Sequence, residues 1–378
     1  MRIAFICSRL GPGADGVGDY VRLLSGGLAA RGHSVLALAL RDSATAPETG
    51  PAGERFVRYA DTAVTAAAAR AALAAFAPDW VSLQWVPYAW HPRGLPWFAG
   101  ARLAAISPAT ARRHFMAHEL WVGENDSAPT LDRLLWCPLQ RLITRRLLAV
   151  WRPALVHTSI PIYATLLARL GRNAAVLPLP SNLPSPGPDD SRWAEAWLRA
   201  HGLSEDRFAS LAAVFGTLHP EWEPDEALLA WNAHERAAGR QPALLALGRI
   251  GLGGESRLAR LRSAVPGLAI HLTGELPAGQ IAALLTRARF ALATSPLALL
   301  GKSGTVAAAR DLGLPVLVTR NDWLSRSTPM PATPDDPLIM LWPASGALDW
   351  PAFLARRRAP VGSAPAVTLS FISDLTAA

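Results

Sequence analysis

Lysine is all but missing from this chain. Of the 37 basic residues in 378, one, Lys302, is lysine and the rest are arginine. Cysteine is nearly absent too. Cys7 and Cys137 are too few for a disulfide framework or a metal cluster, and their apolar surroundings read as buried thiols in a reducing compartment. No apolar run reaches the roughly 18 to 20 residues needed to span a bilayer. The opening MRIAFICSRLGPG is too short in its apolar part for a signal peptide and reads as a first strand. Charged residues make up 17% of the chain against 51% hydrophobic, so there is ample material for buried cores. The net charge of +8 is carried by dispersed arginines with one short cluster, ARRRA at 355–359. The interleaved basic and aromatic stripe of a nucleic-acid binder does not occur. A positive field still favours anionic ligands or an anionic membrane face. The expectation is a cytoplasmic protein with no nucleic-acid partner, or one with a peripheral contact on a membrane.

What is there is alternation. RIAFIC is a short buried-strand run, followed by SRLGPGADGVGD with four glycines. Val17, Val21, Leu24 and Leu28 then recur at helical spacing, Gly32 closes the helix, and SVLALAL is a second strand. Strand, glycine loop, helix, strand opens a parallel α/β sheet. An Ala-rich helix at 62–76, strands WVSLQW, RRHFMAH and PALVHTS, and a long helix at 130–150 continue it. The segment 178–192 holds five prolines in 15 residues and reads as a linker. Beyond it LAAVFG, ALLALG, LAIHLTG, FALATS and PVLVT alternate with helices at about 223–239, 254–264, 277–287 and 303–313. The fold class is α/β, two doubly wound Rossmann-like domains facing a central cleft. Their predicted bounds are 1–185 and 186–360, with 361–378 an amphipathic end returning to the first domain.

Ligands in such sheets bind beyond the carboxyl ends of the strands, and that rule selects a short list. Lys302 follows FALATS after a six-residue loop, with Gly301 before it and Ser303, Gly304 and Thr305 opening a helix. Free amides at a helix start, an ammonium and two hydroxyls make a cradle for an anion such as a diphosphate. A surface loop ahead of a core-packing helix is the plain alternative. The phosphate-loop motif fails here, because Pro296 stands where its first glycine is needed. Gly216 and Thr217 follow the first strand of the second half, and Arg249 follows the next. In the first half Gly16, Val17, Gly18 and Asp19 open a helix, and His118 and Glu119 end a strand-like run. A histidine there can donate a hydrogen bond or take a proton, or be satisfied in the core. Trp85, Tyr88, Trp90 and Trp97 suit a sugar or lipid-like acceptor, or packing.

Together GVGDYVRLLSGGLAARGHSV, AHELW, FGTLHPEW and SPLALLGKSGTVAAARDLGLPVL resemble the retaining glycosyltransferases of the GT-B architecture, over most of the chain. The resemblance implies a nucleotide-sugar donor bound in the second domain, His118 as the active-site histidine, and no cofactor besides the donor. It also implies an acceptor that is a carbohydrate, a lipid-linked molecule or a small molecule. The signature segment ends in Gly313, Pro315 and Val316. The family's two glutamates in that segment fall on Leu300 and Ala308, and its arginine and lysine in the second-domain opening loop fall on Thr217 and Trp222. With those groups absent, Lys302 and Arg249 are the cations left to face a leaving diphosphate. Asp-x-Asp occurs nowhere, so no metal is expected. The expected function is metal-independent transfer of a sugar. The rival is a non-catalytic relative that binds a nucleotide sugar or a partner, and a further rival epimerises a nucleotide sugar.

Overall fold

The structure is a computed structural model that describes the chain except residues 14, 44–45, 63, 204–209 and 333–334. It divides into two compact units. The first comprises Met1–Leu179, Leu324–Pro331 and Ala364–Ala378; the second comprises Pro180–Trp323 and Ala332–Ser363.

The first unit runs β1 (Arg2–Cys7), α1 (Gly16–Ala29), β2 (Ser34–Ala39), β3 (Glu48–Thr49), β4 (Arg55–Arg58), α2 (Thr65–Phe76) and β5 (Trp80–Trp85). It continues through α3 (Pro87–Trp90), α4 (Ala99–Ile106), β6 (Arg112–Ala117), α5 (Cys137–Trp151), β7 (Leu155–Thr158), α6 (Pro161–Ala168) and β8 (Ala175–Val176). The strands form one sheet in the order β3-β4-β2-β1-β5-β6-β7-β8. All pairs are parallel except β3 with β4. Every residue of β5 is buried, as expected of a central parallel strand covered on both faces. Position 63 of the helix expected over 62–76 lies outside the described residues.

The second unit runs α7 (Pro188–Ala200), β9 (Leu211–Phe215), α8 (Asp225–Ala237), β10 (Ala243–Leu247), α9 (Gly254–Ala264) and β11 (Ala269–Leu272). It continues through α10 (Ala278–Arg287), β12 (Phe290–Ala293), α11 (Gly304–Asp311), β13 (Val316–Val318), β14 (Ile339–Leu341) and α12 (Trp350–Leu354). Its sheet has the order β11-β10-β9-β12-β13-β14, parallel throughout. This is the doubly wound order in which the direction of winding reverses beside the first strand. The reversal lies between β9 and β12, and its counterpart in the first unit lies between β1 and β5.

Two differences from the sequence reading have local causes. Helix α7 begins inside the proline-rich stretch. Pro188 occupies its first position, where the missing N–H is no loss, and the Asp190 carboxylate accepts from Gly187 N at 3.0 Å. Strand β14 is three residues long amid prolines, too short for any period to show. The final helix, α13 (Ala364–Ala377), belongs to the first unit. Its Val367, Phe371 and Leu375 are buried in the core with Phe5, Val21 and Met116, and Phe371 stacks on Phe5 at 6.1 Å.

Candidate active site

At the winding reversal of the second unit, three loops are tied into one body. Gly216 leaves β9 with φ +81°, and a Cβ there would lie 3.0 Å from Thr305 Cγ2. That left-handed backbone and that close approach both call for glycine. Leu218 N donates to Ile250 O at 3.0 Å, and Thr294 Oγ1 donates to Thr217 O at 3.2 Å. Arg320, just past β13, is buried and joins the pieces. Its guanidinium donates to His219 Nδ1 at 2.6 Å, to Asp322 Oδ2 at 2.5 Å and to Glu221. Its carbonyl accepts from Leu297 N at 2.9 Å. Burial and the adjacent Arg320 hold His219 below the ordinary imidazole range, so the ring is a neutral acceptor.

Lys302 ends a 3₁₀ turn, Leu297–Lys302. Two features fix it. Leu300 is buried beneath the turn, and Ser303 N donates to Leu300 O at 2.9 Å. Ser303 Oγ then caps α11, accepting from Val306 N at 3.4 Å, and lies 3.0 Å from Thr305 Oγ1. The sequence reading gave both hydroxyls to a ligand. In the structure one of the pair must donate to the other, so a single hydroxyl proton of the two remains for an anion. Gly301 and Gly304 are exposed and Lys302 is half-buried. Arg249 lies 3.6 Å from Glu275 in an exposed ion pair. The four positions where the resemblance implies polar donor contacts are occupied differently. Leu300, Ala308 and Trp222 are buried in the core, and Thr217 is exposed in its loop.

In the first unit the loop after β1 is held by Asp42, a residue that sequence reasoning did not single out. Its Oδ2 accepts from Leu10 N at 2.6 Å and Gly11 N at 3.0 Å, and its Oδ1 accepts from Ser43 N at 2.7 Å. Burial alone would raise this carboxyl; the three amides outweigh it and hold it low. Asp15 caps α1 by accepting from Val17 N at 3.3 Å, and burial raises its carboxyl. Gly16 and Val17 begin the helix. Asp19 Oδ1 accepts from Gly13 N at 2.9 Å. Gly18 is buried where a Cβ would lie 2.7 Å from the Arg9 carbonyl oxygen.

His118 follows β6 and is buried. Its Nε2 lies 2.8 Å from Gln84 Oε1, and the ring of Tyr20, from α1, meets it edge-on at 5.0 Å. The fold therefore brings the start of α1 to the end of β6. Burial pushes the Tyr20 phenol up, keeping it neutral. Glu119 is half-buried beside His118, and its N–H shares the Trp85 carbonyl with that of His118. Trp85 itself is in the core, stacked on Trp90 at 6.4 Å. Trp90 and Trp97 instead line a cavity of about 850 Å³ with Arg41, His91, Phe98 and Arg102.

No protein-family model matches the chain, and no curated protein sequence matches it significantly. Solved structures do. Sucrose-phosphate synthase from Thermosynechococcus elongatus aligns with TM-score 0.58 at 15% identity over 84% of this chain and 81% of that one. Anabaena HepE, solved in complex with UDP and glucose, aligns with TM-score 0.52 at 15% identity over 84% and 80%. WaaG, a glycosyltransferase involved in lipopolysaccharide biosynthesis, aligns with TM-score 0.53 at 15% identity over 98% and 99%. The chain has the α/β fold of GT-B glycosyltransferases.

Proposed function

We propose that this GT-B-fold protein is a glycosyltransferase that moves a sugar from a nucleoside-diphosphate donor held by its second unit. The observation that supports this most is the loop assembly at the β9–β12 reversal, where Lys302 is fixed at the start of α11. As the glycosidic bond breaks, negative charge grows on the leaving diphosphate. An ammonium and helix-start amides aimed at that charge lower the barrier more than they stabilise the ground state. Gly216, Thr217, Gly301, Gly304 and the Ser303–Thr305 hydroxyl pair would border the diphosphate. Arg249 would lend its charge after loosening from Glu275. In this reading the cation is Lys302 itself, so turnover persists in the presence of a chelator.

The first unit would serve the acceptor. His118 and Glu119 would contact the acceptor, bordered by the α1 start at Gly16, Val17, Gly18 and Asp19. The aromatic cavity holds rings suited to sugar faces or to a lipid-like chain. Retention of anomeric configuration comes with the family resemblance, and the anomeric proton coupling of the product reads it. Neighbours solved with UDP and glucose make uridine donors the first to try.

The test is a thermal-shift screen of uridine, guanosine, adenosine and thymidine diphosphate sugars, followed by detection of released nucleoside diphosphate with and without EDTA. A donor that raises the melting temperature and is slowly hydrolysed supports the reading. The non-catalytic alternative has its own observation, the core residues Leu300, Ala308 and Trp222 in place of polar donor contacts. Binding with no hydrolysis or transfer would favour it, and an isomeric nucleotide sugar formed without acceptor would favour epimerisation.

A further inference from the structure

One face of the first sheet carries an unbroken line of buried polar side chains leading away from His118. His118 Nε2 meets Gln84 Oε1 at 2.8 Å, and Gln84 Nε2 donates to Ser82 Oγ at 2.7 Å. Ser82 Oγ lies 2.7 Å from His114 Nδ1, and His114 Nε2 lies 3.1 Å from His157 Nδ1. His157 Nε2 ends the line 2.9 Å from Asp374 Oδ2 on α13. The register explains the alignment: Ser82 pairs with His114 across β5 and β6, and Met116 pairs with both Gln84 and His157. Phe371, one turn before Asp374, packs edge-on to His114 at 5.1 Å and holds α13 against the row.

The direction of every bond follows from the Asp374 end. A carboxylate only accepts, so His157 Nε2 carries a proton. In a neutral ring Nδ1 then accepts, and His114 Nε2 must donate to it. Burial holds both rings below the ordinary imidazole range, so neither carries a second proton near neutral pH. His114 Nδ1 in turn accepts from the Ser82 hydroxyl, which accepts from the Gln84 amide. Gln84 Oε1 is thereby turned toward His118 and accepts its Nε2 proton. The middle of the line is an amide, which does not pass protons on without becoming an imidic acid. The row therefore orients rather than conducts.

We propose that Asp374 is a positioning residue for His118, fixing its Nε2-protonated tautomer through Ser82, Gln84, His114 and His157 and leaving the lone pair on Nδ1. The role of that lone pair toward a sugar hydroxyl rests on the transferase reading above; the tautomer itself does not. Without the anion the 374 end no longer imposes a polarity, because an Asn there can donate to His157 as readily as accept from it. Each bond can then reverse, and His118 becomes a mixture.

The test is long-range ¹H–¹⁵N correlation of uniformly labelled protein near neutral pH with no nucleotide sugar present. In the parent, His118, His114 and His157 should all give the Nε2–H pattern. A single Nδ1–H pattern among them overturns the proposal, whatever any variant does. In Asp374→Asn the Nδ1 and Nε2 shifts of His118 should converge toward those of a mixture, and Asp374→Glu should restore the parent pattern. Unchanged His118 shifts in a folded Asp374→Asn would show that the tautomer is set locally. Failure of the transferase assays would leave these outcomes untouched.

Discussion

A lysine in a chain that otherwise uses arginine places a compact point charge where a guanidinium would present a fork. Lys302 is half-buried, and the turn that carries it is fixed from below by Leu300 and from ahead by Ser303. Replacing it with alanine should lower kcat/KM for the donor by about 10²-fold, the scale of losing one donor to a developing oxyanion. Folding stability should change by no more than about 1 kcal/mol, since the side chain is only half-buried. Steady-state assays and denaturant melts on the same preparation separate the two. Arg320 should behave in the opposite sense. It is buried and ties three loops, although Glu221 and Asp322 are exposed and their ion pairs contribute little. Arg320→Ala should cost about 1–3 kcal/mol of second-unit stability, mainly through the lost hydrogen bond to His219 and the loosened loop backbone. Equal stability of variant and parent in urea would show that the loops hold without it.

At the scale of elements, strands β5, β6 and β7 and helix α13 enclose two histidines that burial holds neutral. The unfolded chain protonates them near pH 6.5, about the ordinary value, while the native state resists. Stability should therefore be flat above that pH and fall as the pH is lowered below it, by at most about 1.4 kcal/mol per pH unit for each histidine. Urea unfolding of the parent and His114→Gln between about pH 5 and about pH 8 checks this, the variant showing the shallower slope. A second element invites a different experiment. Helix α5 and the π-turn before it, Asp132–Trp136, leave Leu131, Leu134, Leu135 and Leu142 exposed among Arg133, Arg145 and Arg146. An apolar stripe rimmed by arginine suits an anionic bilayer surface. Flotation with phosphatidylglycerol vesicles should carry the parent upward and leave Leu135→Glu/Leu142→Glu behind; equal flotation of both would remove the stripe from any such role.

For the whole molecule, what could be read from the sequence follows from the distance over which each feature acts. The strand–helix alternation was legible because buried parallel strands such as ALLAL are apolar on both faces. Lys302, Gly216 and His118 were reachable by the strand-end rule alone. The partners that fix them were not, because they are remote in the chain. His219 and Arg320 are 101 residues apart, and His157 and Asp374 are 217 apart. Nor could residue types show that Ser303 would use its hydroxyl on its own helix, or that Trp222 would be in the core. The segment Leu324–Pro331 reads as loop in the sequence. It belongs to the first unit because the buried Glu124 accepts from Ser325 Oγ at 2.9 Å and from Ser327 Oγ. On the proposed reading, a donor diphosphate would lie against the second-unit loops around Lys302. Amide hydrogen exchange, with and without the nucleotide sugar selected by the thermal screen, tests it most directly. Slowed exchange over 216–222, 249–254 and 297–305 is the predicted result, and it should disappear in Lys302→Ala at the same donor concentration. Protection confined to other segments, or undiminished in the variant, would contradict the account.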